Sequence, residues 1–204
     1  MHIELLVEEP SAEAALQNII PHIVGDEVSF RIITHQGKMD LLKKLAPKLR
    51  AYSKWINDAE TKIVVLVDLD RDDCKILKKK LNKISKDSGL AIKTSIGELS
   101  SEFQILNRIA IEELEAWFFG DKKAIKKTYK KVSSNELDKP RYSNPDAISN
   151  TWEELERLLQ RFHYYPSGLS KIQNARILSK NMDVKNNSSK SFNVFRDGLL
   201  QIVS

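Results

Sequence analysis

Residues 62–73 of this 204-residue chain, Lys-Ile-Val-Val-Leu-Val-Asp-Leu-Asp-Arg-Asp-Asp, restrict the available folds more than any other stretch. Ile63 and the four residues after it are consecutive apolar residues, four of the five β-branched. Such a run reads as a strand buried on both faces, the pattern of a parallel sheet covered by helices. Asp68, Asp70, Asp72 and Asp73 then follow within six residues. Carboxylates crowded in this way repel one another unless a cation stands between them. Open α/β sheets bind ligands just beyond the carboxyl ends of their strands, so the acids fall where such a fold does its chemistry.

The flanking sequence repeats the alternation of strand and helix. Residues 2–7 predict a first strand stopped by Pro10, with Ser11 as the N-cap of a helix over residues 12–20 that Pro21 ends. Residues 28–34 predict a second strand. His35-Gln36-Gly37-Lys38 then turns into a long amphipathic helix carrying Leu41, Leu42, Leu45, Leu49, Tyr52, Trp55 and Ile56, kinked or split at Pro47. After the central strand come a helix over residues 72–86, with Cys74, Leu77, Leu81 and Ile84 on one face and Gly89 at its end, then strands over 90–96 and 103–111. This order predicts an α/β fold: a mostly parallel sheet of four to five strands sandwiched between helices. Residues 1–132 form the α/β domain on this reading. Residues 133–150, rich in Ser, Asn and Asp with Lys139-Pro140 and Asn144-Pro145, read as a connection. Residues 151–204 read as a C-terminal helical cap on the same domain, opened by Thr151 and Glu154 in the spacing of a capping box and continued by helices over 169–179 and 191–202.

Cysteine and charge content narrow the chemistry. The single cysteine, Cys74, excludes an internal disulfide and a multi-cysteine zinc site, and the four histidines lack close spacing. A metal bound here is expected to have oxygen ligands. No apolar run approaches the roughly 20 residues that span a bilayer, and Met1-His2-Ile3-Glu4 lacks the basic start of a signal peptide. The expected setting is cytoplasmic, without a membrane. A net charge of +5 permits a polyanionic partner such as nucleic acid.

Adjacent parallel strands place their C-terminal residues on one rim. Glu8 ends the first strand, Asp68 and Asp70 end the third, and Glu112 or Glu115 follows the last. Magnesium takes one or two carboxylates directly and fills its octahedron with water and phosphate oxygens. Asp68 and Asp70 lie on one side of an extended chain and suit a metal clamp. Asp72 is a further candidate ligand, although with Asp73 it stands in the first turn of the next helix, where acids also serve as caps; the same account is available for Glu8 and Asp70. Glu112 and Glu115, three apart, share a helical face and leave Glu113 elsewhere. Lys38 in its glycine-containing turn, and Lys171 with Arg176 on a late helix, are candidate phosphate contacts. The runs Lys78-Lys79-Lys80 and 122–131 read as solvated faces that add salt-dependent affinity. Aromatics are sparse near these runs, which argues against a single-strand stacking platform, and Tyr164-Tyr165 reads as core.

Glu8 after the first strand and Asp68-X-Asp70 after the third resemble the Toprim pattern, the metal-binding domain shared by topoisomerases, bacterial primases, recombination-repair proteins and the overcoming-lysogenization-defect (OLD) nucleases. More closely, four segments resemble a family of small stand-alone Toprim-like proteins classified as a domain of unknown function. These are Leu6-Val7-Glu8-X-Pro10-Ser11 with Gly37-Lys38, Val67-Asp68-X-Asp70-X-Asp72-Asp73-Cys74, Ile109-Ala110-X-Glu112-Glu113-X-Glu115-Ala116-Trp117, and Ser191-Phe192-X-X-Phe195-X-X-Gly198. The resemblance covers nearly the whole chain. It implies a Toprim-like (Rossmann-like) fold and metal-dependent phosphodiester chemistry on nucleic acid with Mg2+ or Mn2+, Glu8, Asp68 and Asp70 being catalytic. Glu8 would act as ligand or general base, and Glu112, Glu113 or Glu115 would join a second metal site. An ATPase partner and a role in defence against foreign DNA follow from the OLD arrangement. One departure stands out: Toprim sequences place Gly after the first glutamate, and here Glu9 either points away from the metal or adds a ligand. The alternative is a non-catalytic Toprim-like module that binds nucleic acid or protein. An Asp-X-Asp phosphatase is disfavoured because the Thr or Ser that usually follows that motif is missing.

Overall fold

The computed structural model describes residues 1–56, 60–93 and 103–204. The first half alternates as the apolar pattern predicts: β1 (His2–Val7), α1 (Pro10–Val24), β2 (Ser29–Thr34), α2 (Lys38–Tyr52), β3 (Thr61–Asp68), α3 (Cys74–Asp87) and β4 (Ile105–Ala110). The four strands form one all-parallel sheet in the order β2-β1-β3-β4. Of the strand expected over 90–96, Ile92 makes an isolated parallel bridge to Ile105, and residues 94–96 lie outside the described residues.

Alternate residues of each strand serve opposite faces. Ile3, Leu5, Val7, Val64, Leu66 and Leu106 pack with α1 and the later helices, while Leu6, Ile63, Val65, Val67 and Ile105 pack with α2 and α3. The unbroken apolar run of β3 follows from this double cover, all of Ile63 to Val67 being buried.

Beyond β4 the chain forms α4 (Ala116–Phe119), α5 (Lys122–Thr128), α6 (Ser134–Leu137), two 3-10 turns (Pro140–Tyr142 and Pro145–Ala147), α7 (Thr151–Arg161), α8 (Lys171–Ser179) and α9 (Lys190–Val203). Trp117, Phe118, Phe119, Phe192 and Phe195 are fully buried in the cluster that also holds the α1 face of the sheet. The polar stretch 133–150 is tied to that cluster by Tyr142, whose ring stacks on Phe119 at 5.1 Å. Among the described residues, no helix is long and apolar enough to cross a membrane.

Prolines and caps correct the local reading in four places. Pro10 opens α1 instead of preceding it, because its fixed φ suits a first helical turn whose N–H would be unpaired anyway. The cap position falls to Glu9, and the Ser11 hydroxyl donates to that carboxylate at 3.1 Å. Pro21 lies inside α1, which continues a turn to Gly25 (φ 82°), and α2 runs through Pro47 undivided. Thr151 does not cap α7 with Glu154. Glu113, arriving from the loop after β4, accepts from the Thr151 hydroxyl and the Trp152 N–H, both at 2.9 Å. Glu154 accepts instead from the Tyr142 hydroxyl at 2.6 Å.

Candidate metal centre at the strand rim

β1 leads to β2 on one side and β3 lies on the other, so the chain changes direction between β1 and β3. That is where an open α/β sheet has its crevice. Glu8 directly follows β1 and Asp68 ends β3, and Glu8 Oε1 accepts the Asp68 N–H at 2.8 Å. The Glu8 carbonyl in turn accepts the N–H of Gly37 at 3.0 Å. Gly37 adopts φ 87°, a conformation that favours glycine, and turns the chain into α2 so that Lys38 starts that helix on the rim. His35, which the sequence reading passed over, closes the end of β2 with its ring Nδ1 2.8 Å from the Val7 carbonyl.

The loops after β3 and β4 pair beyond the sheet: Leu69 N–H donates to the Ala110 carbonyl and Asp70 N–H to the Glu112 carbonyl, each at 2.8 Å. Asp70 (φ 49°) and Glu112 (φ 59°) are both left-handed there. Asn150, before α7, shares that conformation at φ 51°. All three line one cleft of about 450 Å³ together with Lys38, Met39, Arg71, Asp72 and Glu113. Non-glycine residues held in this region cost roughly 1–3 kcal/mol each and concentrate at functional sites. The turn at Asp70 also ends the alternation on which the Asp68-X-Asp70 clamp was based. Lys38 Nζ holds Asp70 Oδ2 at 2.7 Å, Asp72 Oδ2 at 2.9 Å and the Leu69 carbonyl at 3.0 Å. The two aspartates nonetheless hold Lys38 above its usual pKa against the opposing effect of its burial.

Asp68 turns inward. Its Oδ1 accepts the Leu114 N–H at 3.0 Å, and its acidic neighbours are Glu8 and Glu115. Glu115 is 1% exposed, and neither of its carboxylate oxygens has a hydrogen-bond partner among the described residues. Lys171 Nζ, from the first turn of α8, stands 3.7 Å from Glu115 Oε2 and 3.3 Å from Glu9 Oε2. Burial pushes Glu8 up to about 7 despite the Asp68 N–H and Lys38. Burial likewise pushes Glu115 up to about 7 against the pull of Lys171. Asp68 is held well above the usual carboxylate range by burial and then by Glu115 and Glu8. Burial works against the Lys171 ammonium, yet Glu115, Glu9 and Asp68 together keep it above its ordinary value. Glu112 is also raised, by burial and by Glu113 and Asp70.

Two lysines thus divide the acids into two compartments, an outer one around Lys38 (Asp70, Asp72, with Glu112 across the cleft) and an inner one around Lys171 (Glu9, Glu115), with Glu8 and Asp68 between them. Glu112 and Glu115 do not share a helical face, because α4 begins only at Ala116 and the left-handed turn at Glu112 reorients the chain before it. Arg176, expected beside Lys171, is exposed on a separate cleft with Pro10, Glu13 and Asn18. Asp73 caps α3 by accepting the Ile76 N–H at 2.8 Å. Glu9 pairs with Lys171 and does not point away from the acids. Asn150 and the capping duty of Glu113 left no sequence signal, since both depend on contacts made across the chain.

The inner donors are all oxygen, negatively charged and partly unpartnered, a set whose chemistry suits a hard divalent cation. As the side chains stand, no three His, Cys, Asp or Glu among the described residues gather closely enough to enclose an ion. Residues 7–200 match the model of a family described as a domain of unknown function (DUF4276). No curated protein and no solved structure matches the chain.

Proposed function

Because the chain belongs to the DUF4276 family, whose description assigns no activity, we propose a function from the site itself: metal-dependent phosphodiester chemistry on nucleic acid, of the Toprim nuclease type. The observation that carries it is that Asp68, half-buried at the crevice between β1 and β3, is held well above the carboxylate range by burial and by the charges of Glu115 and Glu8, whose own pKa values burial raises. Mutual repulsion of this kind is relieved by protons or by a cation, and the all-oxygen donors favour Mg2+ or Mn2+. Glu8, Asp68 and Glu115 would hold it, with Asp70, Asp72 and Glu112 as outer candidates. A bound divalent ion neutralises phosphate charge and lowers the pKa of attacking water.

The protein's own groups supply the rest. Glu8 would serve either as a ligand of the ion or, uncoordinated and with its pKa raised to about 7 by burial, as the general base. Leu114 N–H fixes the Asp68 carboxylate. Lys38 and Lys171 are cations at the rim, and either one, released from its carboxylates, would contact a substrate phosphate. The proposed ATPase partner and the role in defence rest on the Toprim resemblance alone.

A second reading, a non-catalytic nucleic-acid or protein-binding module, is favoured by Lys38 and Lys171 already neutralising Asp70, Asp72, Glu9 and Glu115. Two measurements separate the readings. Calorimetric titration of Mn2+ should show binding to the wild type and at least tenfold weaker binding to Asp68→Asn. A plasmid-nicking assay with Mn2+ should show cleavage that the same variant abolishes. Metal binding without cleavage of DNA or RNA, with or without an ATPase partner, selects the module; absence of metal binding sinks the nuclease reading.

A further inference from the structure

At the outer edge of β4, two basic side chains meet with no ion-pair partner among the described residues. Successive strand residues face opposite sides of the sheet. Asn107 faces α3, where its side-chain amide donates to Asn82 Oδ1 and Ser85 Oγ, both at 3.0 Å. Arg108 faces α9. The Asn107 carbonyl points off the sheet edge, and there the Lys78 ammonium, reaching round from α3, and Arg108 Nη1, reaching round from the other face, both donate to it. Lys78 is therefore not part of a solvated face, as its place in the run Lys78-Lys79-Lys80 suggests.

Arg108 is 8% exposed. Its Nε donates to the Val194 carbonyl at 3.0 Å. Its guanidinium lies against Gly198, where an added Cβ would stand 2.6 Å from Nη2 and 2.9 Å from Nε. Glycine inside a helix costs roughly 1 kcal/mol relative to alanine, and here it makes room for the guanidinium; the closing glycine of the Ser191-Phe192-X-X-Phe195-X-X-Gly198 segment has this use. Neither Arg108 nor Lys78 forms an ion pair among the described residues. Asp197 is the acid whose field reaches Arg108, but its carboxylate is engaged by Arg196 at 2.8 Å. Buried charges are ordinarily paired, because an uncompensated one is costly. Consistently, burial lowers Lys78 to about 8, helped by Arg108, and lowers Arg108 to about 10.

We propose that Lys78 and Arg108 form a phosphate-binding site on the outer edge of β4, in which the anion supplies the missing counter-charge and takes the N–H donors that the two carbonyls leave free. Two cations on one carbonyl oxygen are close enough to share one phosphate, and a guanidinium beside an ammonium is a common phosphate-holding pair. The phosphate belongs either to a nucleic-acid backbone or to a free phosphorylated molecule. The site shares no residue with the acid rim and does not depend on a metal there.

Calorimetric titration with inorganic phosphate, and separately with a short single-stranded oligonucleotide, tests the proposal on the wild type, Lys78→Gln, Arg108→Gln, Gly198→Ala and Lys79→Gln. Circular dichroism checks that each is folded. Lys78→Gln is expected to weaken binding about tenfold, the loss of one charge-assisted hydrogen bond. Arg108→Gln, and Gly198→Ala by displacing the guanidinium, should do the same without sharing a mutated position. Lys79→Gln, an exposed neighbour, should bind as the wild type does. Loss confined to free phosphate assigns a small phosphorylated ligand, and loss confined to the oligonucleotide assigns a nucleic-acid backbone. The proposal is overturned if the wild type binds neither probe, if Lys78→Gln and Gly198→Ala bind normally, or if Lys79→Gln is as weak as Lys78→Gln. Failure of Asp68→Asn to bind Mn2+ or cleave DNA leaves this result untouched, so the two sites are judged separately.

Discussion

Glu115 carries a carboxylate where solvent hardly reaches and neither oxygen accepts a hydrogen bond among the described residues, the Lys171 ammonium standing 3.7 Å away. Such a group is tolerated as a neutral acid or beside a cation. In the folded chain Glu8 and Glu115 keep their protons up to about 7, whereas their ordinary value is 4.5. Between those two values the folded state binds more protons than the unfolded state, so stability falls as pH rises. The contribution is fully present below pH 4.5 and lost above about 7. Calorimetry in the presence of a chelator should therefore show a lower Tm at pH 8 than at pH 6, and Glu115→Gln should flatten that slope, matching the wild type at pH 5 and exceeding it at pH 8. A Glu115→Gln protein with the wild-type slope would remove Glu115 from this account. Most of the inner acids were legible in the sequence, because Glu8 and Asp68 directly follow apolar runs that have to be strands. Their grouping was not. Asp70 leaves the set through a left-handed turn, which Asp tolerates better than most residues but does not announce, and Lys171 enters it from a helix over a hundred residues downstream of Asp68.

Among the elements, α7 shows why caps are harder to read than strands. Thr151 and Glu154 have the spacing of a capping box, yet Asn150 is left-handed and no local side chain caps the helix. Glu113 does so from the loop after β4. Replacing Glu113 with Ala should cost about 1 kcal/mol of stability, the usual penalty for a lost cap. It should also speed amide exchange at residues 152–154 while β1 exchanges as before. A midpoint in urea unchanged from the wild type would show that the helix start does not need this carboxylate. The strands were legible because double burial leaves an apolar run that no helix of that length would require. Pro21 does not end α1 and Pro47 does not split α2, because a single missing backbone hydrogen bond costs less than the burial of Ile23, Leu49 and Tyr52 in the turns beyond them recovers.

Across the described residues one buried cluster joins the sheet to the helices that follow it, running from Ile3 through Trp117 and Leu158 to Phe195 and Ile202. Urea unfolding followed by tryptophan fluorescence and by far-ultraviolet circular dichroism should accordingly give one coincident transition. Two separated transitions would mean that residues 151–204 fold as a unit of their own. The change of pattern after β4 is legible in the sequence, but the polar stretch 133–150 conceals Tyr142, whose burial against Phe119 only the tertiary structure makes evident. Lys171 also sets an order in time. On the ribosome the strands carrying Glu8 and Asp68, and the loop carrying Glu115, are made before the lysine that answers Glu115, with the intervening residues taking on the order of seconds to add. A growing chain therefore passes through an interval in which its acids have no internal partner on that side, so that free cations or protons in the surroundings are the first to occupy the place Lys171 later takes.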